Sequence, residues 1–114
     1  MAALRHRFWK GNTALNVTID DFRDAGPDDI VLSEVRLHLS AASGVQNFTV
    51  TVNSDEGSEY DAVLSSTAMN SLTDKYLTDK NIIRAVDHVT FALANAAGLT
   101  WGLEVIYRPA TQDD

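Results

Sequence analysis

The sequence predicts an all-β domain, an antiparallel two-sheet sandwich of seven to eight strands of jelly-roll or Greek-key type. Three observations predict it. Apolar and polar residues alternate with a period of two along several stretches, which sends successive side chains to opposite faces of a strand. Gly, Pro, Asn and Asp interrupt those stretches at roughly ten-residue intervals. No stretch holds a 3.6-residue apolar period long enough for a substantial helix.

Taken in order, Leu4–Trp9 alternates weakly and reads as an N-terminal arm or edge strand over residues 1–12, closed by a turn at Lys10-Gly11-Asn12. Leu15, Val17 and Ile19 alternate with Asn16, Thr18 and Asp20 as a clear strand. Asp20–Asp29 is a loop with five Asp, and Phe22 is expected to pin it to the core. The stretch from Ile30 to Gly57 organises the rest. Val31, Ser33, Val35, Leu37 and Leu39 share one parity, and Phe48, Val50 and Val52 resume it after Ser43-Gly44. It reads as an antiparallel pair joined by a short Gly-containing loop.

After a turn at Ser54–Ser58, the run Tyr60–Ser65 reads as a strand. Residues 66–81 read as a long excursion with a short strand near Tyr76–Leu77, and excursions of that length usually make contacts. Ile82-Ile83 starts another short strand, and Val89, Phe91 and Leu93 define a further one. Asn95–Gly98 is a turn. Leu99, Trp101, Leu103, Val105 and Tyr107 form the longest alternating run, expected as a central strand. Pro109 ends it, since proline cannot donate to a sheet ladder, and residues 109–114 are a polar tail. No linker divides the chain, so residues 1–114 read as one domain.

A chain of 114 residues buries roughly two-thirds of its unfolded surface, enough for a core without staples. It has no cysteine, which excludes disulfides and thiolate-held metals. Its net charge of −7 argues against nucleic acid as a partner, because phosphate binding needs clustered Lys and Arg. No apolar run approaches the ~20 residues that span a bilayer, and Met1–Lys10 lacks an apolar signal-peptide region. The expectation is therefore no membrane, and folding in the cytoplasm without export. The sequons at Asn16 and Asn47 fill polar strand positions.

The chemistry-bearing motifs are missing. There is no nucleophile elbow, no S-x-x-K and no phosphate loop. His38 and His88 both lie on polar strand parities, but zinc needs three or four ligands. The Asp20–Asp29 acids and the group Asp55, Glu56 and Glu59 do not match a calcium loop. Hence no enzyme, cofactor or metal is expected. Trp101 and Tyr107 share the core parity, while Trp9 and Tyr76 are the aromatics expected at an exposed or interface position. Val63 and Ile106 are apolar on the outward parity, beside the small outward Ala92 and Ala94; a subunit interface would explain them.

Four segments resemble a family of small virion structural proteins of tailed bacteriophages. They are Glu34–Leu39 (EVRLHL), Asn47–Ser54 (NFTVTVNS), Gly57–Leu64 (GSEYDAVL) and Ala94–Val105 (ANAAGLTWGLEV). Between Asp74 and Arg84 the chain has DKNIIR where that family tends to carry a Pro-bounded PIPL segment. The resemblance implies a virion component assembled in the host cytoplasm. It would be a homotrimeric capsid decoration or cement protein that meets itself and the major capsid protein. A tail, neck or fibre component, or a carbohydrate- or receptor-binding module, are the alternatives. The residues expected to make contacts are Arg5, Arg7, Phe8, Trp9, Lys10, Met69, Leu72 and Tyr76. An N-terminal arm of this kind would be removable without unfolding the sandwich.

Overall fold

A computed structural model describes residues 4–25, 29–42, 44 and 46–110. Nine strands follow in order: β1 (Arg5–Gly11), β2 (Leu15–Ile19), β3 (Ile30–Leu39), β4 (Asn47–Asn53), β5 (Ala62–Ala68), β6 (Asp74–Leu77), β7 (Asn81–Ile83), β8 (His88–Leu93) and β9 (Trp101–Pro109). Only two short 3₁₀ turns, Arg23–Ala25 and Ser58–Tyr60, accompany them among the described residues. The first sheet has the order β1-β9-β3-β6, with β7 also on β3; the second is β2-β8-β4-β5. All pairings are antiparallel. If β6 and β7 count as one interrupted strand, the eight positions run 1-8-3-6 and 2-7-4-5, a jelly roll.

This arrangement corrects the expected hairpin. β3 and β4 do not pair; β3 lies in the first sheet between β9 and β6, and β4 lies in the second between β8 and β5. Their connection crosses the sandwich. Alternation states which face of a strand is buried and is silent on which neighbour the strand pairs with, so two good strands and a short loop looked like a ladder. The hairpin of this region is instead β4–β5.

Two bulges also shift the expected parity. Between Leu32 and Glu34 the β3–β9 register slips, so Ile30 and Leu32 join the core cluster before the bulge, and Val35, Leu37 and Leu39 after it. Val31 thus stands on the outer side, although it shares parity with Val35 in sequence. A second slip between Val50 and Thr51, opposite Leu64, leaves Ser65 and Thr67 facing inward on β5, where their hydroxyls lie 3.3 Å apart. One extra residue per bulge is enough to turn a strand over.

The core lies between the sheets and is built from Leu15, Ile19, Phe22, Leu37, Leu39, Phe48, Phe91, Leu93 and Leu103, all essentially inaccessible. Each such side chain contributes about 1.5–3 kcal/mol by leaving water. Phe22 pins its loop as expected: its N–H donates to Ala85 O at 2.8 Å and its ring meets Tyr107 edge-on, with centroids 5.0 Å apart. The long final run is the central strand β9 between β1 and β3, and it stops at Pro109.

The N-terminal segment is an edge strand and not a detachable arm. Arg5 to Gly11 all pair with β9. Gly11 has no side chain because the Trp101 indole occupies that space, 2.9 Å from where a Cβ would stand. Removing residues 1–9 would therefore take away the neighbour on one side of β9 and leave β3 on the other, where the expectation was of an arm that the sandwich can lose. The 66–81 excursion is likewise ordered: β5 runs to Ala68, and β6 and β7 add to β3. The turn of Asn95–Gly98 falls where expected, with Asn95 and Gly98 at φ of 54° and 66°. Asn95 earns this conformation through its amide, which donates to Thr13 O and Leu99 O and accepts from Leu99 N, at 2.7–2.9 Å.

Candidate functional site: the two outer sheet faces

The outward residues of the first sheet fall into cross-strand rows. Phe8, Glu104, Arg36 and Tyr76 make one row across β1, β9, β3 and β6; Lys10, Gly102, His38 and Asp74 make the next. A groove of about 610 Å³ runs over them, bounded by Phe8 and Tyr76 and floored by β9 at Gly102–Glu104. Gly102 makes the groove: a Cβ there would meet nothing within 4 Å. Phe8 and Tyr76 are 69% and 64% exposed, and the His6 ring stacks on Phe8 at 6.3 Å with planes 13° apart.

Apart from Lys10, the charged side chains around the groove are engaged with one another. Arg36 donates to Glu104 Oε1 at 3.2 Å and to both oxygens of Glu34 at 3.2 and 3.3 Å. Those bonds, to Glu34 first, raise the already high pKa of the guanidinium. His6 Nδ1 lies 2.9 Å from Glu104 Oε2. His38 Nδ1 lies 2.6 Å from Asp74 Oδ1, and Thr73 donates to Oδ2 at 2.8 Å. His38 first, then Thr73, holds the Asp74 carboxyl below its usual range.

The outer face of the second sheet is of another kind. Asn16, Ala92, Thr49 and Ser66 form one row, and Thr18, Thr90, Thr51 and Val63 the next. Thr90 Oγ1 accepts from Asn53 at 2.9 Å and lies 3.1 Å from Thr18 Oγ1. No Asp, Glu, Lys or Arg occurs in β2, β4, β5 or β8, whereas the strands of the first sheet hold six basic and three acidic residues. The strands are thus net positive, and the acidic excess behind the net −7 sits in the connections and ends.

The structure divides the expected contact residues. Phe8, Lys10 and Tyr76 come together around the groove. Trp9 points the other way, half-buried against the core, which corrects its expected exposure. Met69 is fully buried and offers no surface. Leu72 lies in the β5–β6 connection, 39% exposed. Arg5 and Arg7 tie down the Asp20–Asp29 loop within the chain. Arg5 Nε donates to Asp24 O at 3.4 Å, and Arg7 sits 3.2 Å from Asp24 Oδ1 and 5.5 Å over the Tyr107 ring. Tyr107 donates to Asp24 Oδ2 at 2.6 Å. Burial, then that bond, pushes its pKa up to about 12.

Ile106, expected outward at an interface, is 2% exposed within the chain itself; Val63 does remain on the outer surface. His38 and His88 lie in different sheets and share no metal site, and no cluster of three metal-ligating side chains occurs among the described residues. In the acidic loop, Asp21 is engaged by Arg23, accepting from its backbone N–H and its guanidinium. Gly102, Arg36 and Glu104 went unmarked in the sequence reading. The available signal was the glycine inside the longest strand, which often marks a close backbone approach.

No family model and no curated protein sequence matches the chain. Its fold is similar to that of the Drosophila NLP core, a structure described for pentamer formation and histone binding, at a TM-score of 0.51 and 15% identity over 96% of this chain and 100% of that one. A mitogen from Yersinia pseudotuberculosis aligns at 0.49 and 6% identity over 100% and 92% of the two chains. Infectious bursal disease virus, Gt strain, aligns at 0.40 and 11% identity, over 98% of this chain and 34% of that one. At such identities the first likeness concerns the fold alone.

Proposed function

We propose that this chain is a non-enzymatic structural protein of a tailed-bacteriophage virion, a capsid decoration protein that works as a homo-oligomer, with the major capsid protein as partner. The resemblance of its four sequence segments to phage virion proteins supports the reading. So does the jelly roll, a fold that viral capsid domains use.

The observation that carries it is the uncharged outer face of β2-β8-β4-β5. Copies of a chain with net charge −7 repel one another. The second sheet is where they can approach without setting like charges together, and interface cores are depleted in charge. Val63, 62% exposed, and the uncharged free edge β5 add apolar and backbone contact there.

Light scattering on the purified chain tests this. The expected result is a closed oligomer, a trimer on the present reading, that Thr51→Lys or Val63→Lys reduces to folded monomer. A wild-type monomer, or an oligomer indifferent to both charges, overturns the self-contact. Co-sedimentation with capsids assembled without the protein then tests its place. Binding to tails and not to heads would make it a tail or fibre component.

A further inference from the structure

We propose that the groove on the outer face of the first sheet binds a neutral, unbranched oligosaccharide. Two exposed aromatic rings stand at its ends, Phe8 on β1 and Tyr76 on β6. Three strand spacings separate them, about 14 Å. A rigid flat ring presents a large apolar face at little conformational cost, which suits the C–H face of a sugar ring. His6 stacks on Phe8 and orients it before any ligand arrives.

Between the rings the floor is polar, and apart from Lys10 at the β1 rim its charged side chains are paired within the protein. Arg36 lies between Glu34 and Glu104, His6 on Glu104, and His38 on Asp74. An anionic ligand would meet the single Lys10 ammonium at the rim, and further charge along the floor would have to displace one of these partners. A neutral polyol does not, because its hydroxyls donate to the remaining carboxylate lone pairs and accept from the remaining guanidinium hydrogens. Gly102 clears the middle of the floor, so a chain of sugars can lie across β9 and β3. This site and the proposed contact between copies use opposite faces, and either can fail without the other.

The test is titration of the full-length protein with cellohexaose, maltohexaose and xylohexaose, and with neutral bacterial O-polysaccharide, followed by amide chemical shifts. Binding to at least one is expected, with shifts centred on Phe8, Arg36, Tyr76 and Gly102. Phe8→Ala and Tyr76→Ala should each weaken it about tenfold. Gly102→Val should abolish it while leaving the fold and the solution mass unchanged, since the new side chain enters open space at a strand position that favours valine. The proposal is overturned if none of these ligands shifts the groove, if Gly102→Val binds as well as wild type, or if hyaluronan binds and the neutral chains do not. It is also overturned if Phe8→Ala dissociates an oligomer, because the face would then be a contact between copies.

Discussion

The two outer faces of this sandwich are built on the same ladder geometry and come out as opposites. The first carries Phe8, Tyr76 and a lattice of paired charges around a glycine gap. The second is flat, small and uncharged, with hydroxyl and amide groups that bond to each other. A sheet face turned to water in a monomer usually mixes charges for solubility, as the first face does. The second face departs from that pattern over four strands. The difference teaches that one ladder geometry can carry two chemistries: on the first face charges are paired side by side, and on the second charge is left out altogether.

The largest effect expected on stability lies behind the first sheet. There Tyr107 and Arg7 hold Asp24, and among the described residues the second sheet has no equivalent. Tyr107→Phe removes a hydrogen bond to a charged acceptor and should cost about 1.5–3 kcal/mol in urea unfolding. The tyrosine is neutral in the fold, with its pKa raised from 10.0 to about 12. Its contribution is therefore complete below pH 10 and is lost as pH rises through 12. Wild type should lose stability across that window and Tyr107→Phe should lose less. Equal slopes would mean that the bond is not the cause.

A smaller effect is expected on the second face. Thr90→Val leaves Asn53 and Thr18 without their shared partner, yet the site is half-exposed and water can replace it. A loss of about 0.5–1 kcal/mol is expected, partly offset by the strand preference of valine. A loss as large as that of Tyr107→Phe would show that this hydroxyl network holds the sheet, and that the face is more than a neutral surface.

Much of this contrast was legible in the sequence. Strand positions, the inward parity of β2, β8 and β9 and the anchoring role of Phe22 all follow from a period of two. The absence of charge from four strands could also have been read there. Pairing could not: β3 and β4 each alternate cleanly, and nothing local says that the chain crosses to the other sheet between them. Bulges hid the rest. Val31 shares parity with Val35 and ends on the other face, because one extra residue at Ser33 reverses the strand. Trp9 and Met69 were misjudged for a related reason. Their surroundings come from distant segments, β9 and Trp101 for the first strand and the Gln46 carbonyl for Met69, whose N–H donates to it at 2.8 Å.

The smallest effect expected is at Arg36, although it makes two of the ion pairs on the first face. The guanidinium is about half-exposed and its partners are in contact with water. Exposed pairs contribute about 0–1 kcal/mol, because solvent screens the attraction and the long side chain loses freedom. Arg36→Met keeps the packed stem and removes the charge, so the midpoint of urea unfolding should stay close to that of wild type. It leaves Glu34 and Glu104 without their shared cation, while His6 stays on Glu104. If Arg36→Met costs several times more than an exposed pair should, the charge lattice is a structural brace of the first sheet.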